Sequence, residues 1–342
     1  MMLRLATDAD EQSPPSAHRA PWLSLMVGLL GPRGTHAALV AVVVLGLSLL
    51  VVSGLPGRVR AWVHDRPEYD WSVAQIALDP APPSWLRVGE RGVLSAVAEP
   101  LQGFDPGSVL DLDLGAVERA FKNVFWVERV RGIERSYPNR VIVSLDYRQP
   151  VAIAPLDPSA AATNPSRRDY LVVDSTGLIL DRLPVNSDLG RSFASELVML
   201  SGLKVPQDVT IGQPWPRSDS SESVLRSDPA AEAAARLARF LLDRSAEDGW
   251  PETRSGQMIP FRRIHPYQGD PRKLYINHKL PDGQVLWVVW DSAPGSEGSS
   301  EPSAIEKWDM LRNWITSGGI DRPLDPGALG FTTRGPVWLP PI

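Results

Sequence analysis

WVERVRGIERSYPNRVIVSLDYRQPVAIA, residues 126–154, is the stretch that decides the fold. In its second half Val141, Val143, Leu145 and Tyr147 alternate with Ile142, Ser144, Asp146 and Arg148, the period of two expected of a strand with one buried face. Before it, Tyr137-Pro138-Asn139-Arg140 supplies a fixed φ at Pro138 and a turn-tolerant Asn139, so the chain reverses out of a strand carrying Val127, Val130 and Ile133. The stretch therefore predicts a β-hairpin. Gly132 inside the first strand predicts a bulge there.

Working upstream, Leu114, Val117, Phe121, Val124 and Phe125 recur at helical spacing, with Asp111 or Asp113 placed to cap the helix. Paired in this way, the two aspartates read as helix capping rather than as acid and base. Val93, Leu94, Val97 and Ala98 predict an earlier helix, and Trp71 to Leu78 a strand with Ala74, Ile76 and Leu78 on one face. The order strand, helix, helix, strand, strand makes a compact module over 69–154.

Further upstream, Ala37 to Leu55 is an uncharged run of 19 residues. As a helix it is about 28 Å long, close to a bilayer's hydrocarbon thickness, and predicts a transmembrane helix over 36–57. A buried core helix is the alternative. Residues 1–35 then form a tail. Arg19 and Arg33 lie on one side of the run and Arg58, Arg60 and Arg66 on the other, so charge leaves its orientation open.

Downstream, a loop leads into a second region over 168–342. Asp174-Ser175-Thr176-Gly177 joins two short strands, and Asp228-Pro229 opens a helix with Ala230, Ala234, Leu237 and Leu241 inward. Pro281-Asp282-Gly283 closes a hairpin between Leu274–Leu280 and Val285–Trp290. Ser303 and Glu306 have capping-box spacing before a helix bearing Ile305, Trp308, Leu311 and Ile315. Long loops are expected at 205–228 and 292–303, and Leu329 to Thr333 reads as a final edge strand. The fold class expected is α+β: a transmembrane helix, a β-α-α-β-β module, and a second, mixed β-rich domain with two helices.

A net charge of −5 over 342 residues, without a basic stripe, argues against nucleic acid as a partner. The chain has no cysteine, so no disulfide framework or thiolate metal site exists, and its five histidines show no metal-ligand spacing. Phosphate-cradling glycine motifs are absent. Ser201 and Lys204 have Ser-x-x-Lys spacing, but Gly202 and Pro206 argue against the helix that a serine nucleophile of that type needs. No catalytic residue, cofactor, metal or small-molecule substrate is expected.

Together, the run at 37–55, Phe125-Trp126-Val127 after a helix, Tyr137 to Val141, Tyr147 to Ala152, Tyr170 to Asp174 with Gly177, Leu200-Ser201-Gly202, and Lys307-Trp308 with Leu311 resemble the bacterial cell-division family FtsQ/DivIB. The resemblance covers roughly 37–325, and is thin between 205 and 270. It implies a cytoplasmic tail, a single span of the inner membrane, a polypeptide-transport-associated (POTRA) domain, and a β domain outside the cytoplasm. It also implies a divisome scaffold at the division site. Such a scaffold links membrane and cytoplasmic division proteins to septal peptidoglycan synthesis.

The partners implied are FtsB- and FtsL-like coiled-coil membrane proteins, with FtsK- and FtsW-like proteins as further members. Capture is by strand addition near the C-terminal end. By position the candidate partner-binding residues are Phe331, Thr332, Thr333, Trp338 and Arg148. Each has a plainer reading. The first three would complete a sheet, Trp338 would cover a core edge, and Arg148 would lie on a solvated face. Two other functions fit the same order less well: a membrane-anchored cell-wall enzyme, and a POTRA-bearing secretion or assembly factor, whose barrel strands the chain is too short to supply after residue 155.

Overall fold

In the computed structural model the described residues are 32–64, 66–86, 89–102, 107–156, 169–203, 209–217, 227–267, 270–280, 282–321 and 327–340. They fall into two units, one ending at Asp70 and one running from Trp71 to Ile342. The first unit carries helix α1, Pro32–His64. Its tail end holds Arg66 over the Trp62 ring, 3.7 Å from the centroid.

The expected transmembrane helix is not upheld: among the described residues no helix is long and apolar enough to cross a membrane. The uncharged run Ala37–Leu55 lies within α1. The side chains of 50–56 lie outside what is described, as does the expected tail at 1–31.

The second unit opens with β1 (Ile76–Asp79), α2 (Gly89–Gln102), α3 (Leu114–Lys122), β2 (Val127–Ser136) and β3 (Arg140–Tyr147). The three strands form one sheet in the order β1-β3-β2, with β3 parallel to β1 and antiparallel to β2. Period two in β3 sends Val141, Val143, Leu145 and Tyr147 inward, and all four are buried. Val93, Val97 and Leu101 of α2 and Val117 and Phe121 of α3 are buried as well. Each fully buried aliphatic side chain contributes about 1.5–3 kcal/mol.

Asp113 caps α3, its carboxylate accepting from the Gly115 N–H at 2.8 Å. That hydrogen bond lowers its pKa. The bulge predicted by Gly132 is present between Val130 and Gly132, with a second between Val127 and Arg129. These two slips break the expected face of β2, so Val130 and Ile133 are only half-buried. The strand expected from Trp71 is shorter too, because Val73–Gln75 form a 3-10 turn behind a Ser72–Gln75 capping box.

Next come β4 (Pro150–Pro155), β5 (Asp169–Asp174), β6 (Ile179–Pro184), α4 (Asp188–Glu196), β7 (Val198–Leu200), α5 (Pro229–Asp248), β8 (Arg263–Tyr267), β9 (Asp270–Lys279), β10 (Val285–Asp291), α6 (Ala304–Thr316), β11 (Ala328–Thr332) and β12 (Gly335–Leu339). All nine strands join one sheet in the order β12-β11-β10-β9-β8-β7-β4-β5-β6.

The α+β class with a β-rich second domain is corrected to a mixed α/β architecture built on this nine-stranded sheet. The reason lies in three parallel pairs, β4 with β7, β7 with β8, and β10 with β11. Parallel neighbours need long crossovers. The last two pairs are bridged by α5 and α6, and α4 returns the chain from β6 to β7.

α5 and α6 share the main core with the sheet. Ala234, Leu237 and Leu241, with Trp308, Leu311 and Ile315, meet Val151, Val198, Ile276, Val288 and Leu329. α4 belongs to a second core of Ile153, Val172, Leu180, Leu183, Phe193 and Leu197. Asp228 and Ser303 cap α5 and α6 as their spacing predicts. Within the main core region Lys307 is almost wholly buried, donating to the Trp290 carbonyl at 2.6 Å and paired with Glu301.

Candidate strand-capture site

Among the described residues the long sheet ends at β12, beyond which no further strand pairs. Thr333 and Arg334 turn the chain, so the segment expected as the edge, Leu329–Thr333, is followed by one more strand. That segment is β11, and Thr333 sits in the turn. The turn is tied by Thr332, whose hydroxyl donates to the Gly335 carbonyl at 3.0 Å and accepts from the Arg334 N–H at 3.3 Å. Gly335 takes φ 128°, where a side chain would be strained.

β11 and β12 pair with Thr332 opposite Gly335, Gly330 opposite Val337, and Ala328 opposite Leu339. In a two-residue hairpin the closing pair directs its backbone groups at each other, and the antiparallel alternation repeats this at every second residue. Gly335, Val337 and Leu339 therefore face β11, and Pro336 and Trp338 turn their backbone outward. Gly327 shows the inward side directly, since a Cβ there would collide with the Leu339 carbonyl.

Trp338 is 37 % exposed and stacks on Trp314 of α6, with centroids 6.2 Å apart and planes at 29°. Gly319 passes so close behind the Trp314 indole that any Cβ would displace it. The two rings thus form a held apolar ledge beside the free edge, the kind of rigid aromatic surface that anchors interfaces.

Phe331 is placed differently from its expected role. It is 7 % exposed and packs edge-on against Trp290 at 6.0 Å, so it belongs to the main core. A charge there would break the fold before it touched a partner. Thr332 is half-buried in the turn and Thr333 exposed at its tip.

Arg148 lies far along the chain from that edge, between β3 and β4. Its guanidinium donates to Asp174 at 2.7 Å, with side-chain exposures of 23 % and 3 %. The other Asp174 oxygen accepts from the Thr176 N–H and hydroxyl and from the Leu178 N–H. Arg148 therefore ties the exit of β3 to the β5–β6 turn. Phe125 reinforces this seam, its ring 2.9 Å from where a Gly212 Cβ would sit.

The backbone of Ser201 donates to Ile264, while Lys204 lies outside the described residues. His265 faces Asn277 at 2.9 Å and Trp287 at 5.1 Å, and burial beside Arg263 lowers its pKa to about 4. It is a neutral acceptor at pH 7. A groove of about 850 Å³ on the small sheet is lined by Pro80, Ala81, Arg129, Arg131, Asp146 and Tyr147. Asp146 already pairs with both arginines, at 2.7 and 3.2 Å. No cluster of three or more metal-capable side chains occurs among the described residues.

Two signals for the edge were present in the sequence and carry new weight here: the turn Thr333-Arg334-Gly335 and the alternation Pro336, Trp338, Pro340. No protein-family model matches the chain, and no curated protein matches it.

Proposed function

We propose that this chain is a non-enzymatic scaffold of bacterial cell division, of FtsQ/DivIB type, that works by protein contacts. In this reading it connects division proteins of the cytoplasm and inner membrane to septal peptidoglycan synthesis, with the nine-stranded sheet outside the cytoplasm. Its partners are FtsB- and FtsL-like coiled-coil proteins, and no cofactor takes part. The observation that carries the proposal is the free edge of β12 beside the Trp314–Trp338 ledge. Strand addition supplies backbone hydrogen bonds, and an adjacent apolar ledge supplies selectivity.

The test is a full-length fluorescent fusion expressed in the native organism while the untagged protein is depleted. Septal enrichment and restored division are expected for the wild type. With Trp338→Pro, which removes the outward N–H of the edge, the fusion folds but division stays blocked. Uniform signal and normal division after depletion would overturn the proposal.

A further inference from the structure

The outward side of β12 is not an ordinary strand edge. Its outward positions are Pro336 and Trp338, and Pro340 stands at the next step of the same alternation. Proline has no N–H. Of three outward residues only Trp338 donates, while all three offer a carbonyl. An unguarded edge of this length would exchange six hydrogen bonds with an antiparallel neighbour, two at each outward residue; this one exchanges four, three of them donated by the newcomer.

We infer that β12 is a proline-guarded edge that accepts a donor-bearing strand from a different protein and rejects a second copy of itself. When two copies of β12 meet antiparallel about Trp338, the two tryptophan positions form one narrow pair. Pro336 of each copy then lies opposite Pro340 of the other, so each of their carbonyls faces a pyrrolidine ring where an N–H would be needed. Such a dimer has two hydrogen bonds and four carbonyls left without a donor. A foreign strand with N–H groups at all three facing positions meets no such conflict. Prolines are a known guard of sheet edges, found where the missing N–H faces solvent. Here their spacing leaves one donor, Trp338, in the middle of the edge, and the residue that pairs with it lies beside the Trp314–Trp338 ledge.

The inference rests on the proposal that β12 captures a partner strand, but its test does not need the partner. The chain contains no cysteine, so Trp338→Cys installs a single reporter. In a self-pair centred there the two Cα atoms lie about 5.5 Å apart, within disulfide range. Full-length Trp338→Cys is compared with the same variant carrying Pro336→Val and Pro340→Val, under mild oxidation at equal concentration. Circular dichroism and thermal melting confirm that both are folded. Disulfide-linked dimer forms at least about tenfold faster with the valines than with the prolines. Equal rates, or fast dimer formation with the prolines in place, would overturn the inference. Loss of septal capture in the fusion experiment, with the cross-linking contrast intact, would instead overturn the partner reading and leave the guarded edge standing.

Discussion

The two ends of the nine-stranded sheet solve one problem in opposite ways. At the β6 end, Ile179 donates to the Gln213 carbonyl at 3.0 Å and accepts from the Gly212 N–H at 2.8 Å, so a returning loop takes up part of the edge. α4 then closes over the neighbouring face, with Ser187 capping it and Phe193 in the second core. At the β12 end no described segment lies beyond the strand, and the edge is blunted by prolines. An exposed edge invites pairing with any strand it meets. A covered edge removes the hazard together with the opportunity, whereas a proline-guarded edge keeps one selective point of attachment. On the proposed reading, the β12 end is the one that works.

The largest effect that separates stability from capture is expected at Phe331. Phe331→Asp removes a buried ring and leaves a charge in its place beside Trp290, which costs about 3–5 kcal/mol or more. Urea unfolding of the full chain reads this as a sharply lowered midpoint. A stable variant would mean that β11 is not core, and would return Phe331 to the surface role that the sequence suggested. At the opposite end, Gly190 of α4 approaches the Pro184 carbonyl so closely that a Cβ cannot fit without backbone movement. Gly190→Ala should lose about 1–3 kcal/mol while leaving partner capture intact, measured by the same unfolding curve and by septal recruitment. If capture failed instead, the β6 end would be the working one.

The smallest effect is one of pH. His265 has its pKa lowered to about 4 in the fold, against 6.5 for an unperturbed histidine. The unfolded chain therefore takes up the proton first as pH falls. Its stabilising contribution is present above about pH 6.5 and is lost progressively toward pH 4. His265→Gln, which keeps an acceptor for Asn277, should flatten the fall of melting temperature across that window. An unchanged slope would show that the acid sensitivity of this sheet arises from other groups.

Much of the local structure was legible in the residues. The hairpin at Pro138, the bulge at Gly132 and the caps at Asp113, Asp228 and Ser303 follow from short-range chemistry, and all are present. What escaped reading was non-local. β8 is Arg263-Ile264-His265-Pro266-Tyr267, a segment too polar and too proline-bearing to announce a strand. Only its pairing with β7 and β9 makes it one. α4 spans nine residues, and a single large side chain, Phe193, enters the core from it. Without these pieces the parallel pairs stay hidden, and the sheet reads as smaller and purely hairpin-built.

The candidate site was legible by composition more than by position. Trp338 stood out as an aromatic that could anchor an interface or cover a core edge, with no strand expected around it. The turn at Thr333-Arg334 places the edge one strand later than Leu329–Thr333 suggested. Arg148 looked like a surface residue because Tyr147 alternates inward. Its partner Asp174 is 26 positions away and buried, which no local pattern reveals.

The most direct test of the account is amide hydrogen exchange of the full-length chain, alone and bound to the partner recovered with the septal fusion. The account predicts that the Trp338 amide exchanges rapidly in the free chain and becomes protected on binding, with the β6 edge unchanged. Protection at β6 or on the three-stranded sheet, with Trp338 still exchanging freely, would contradict it.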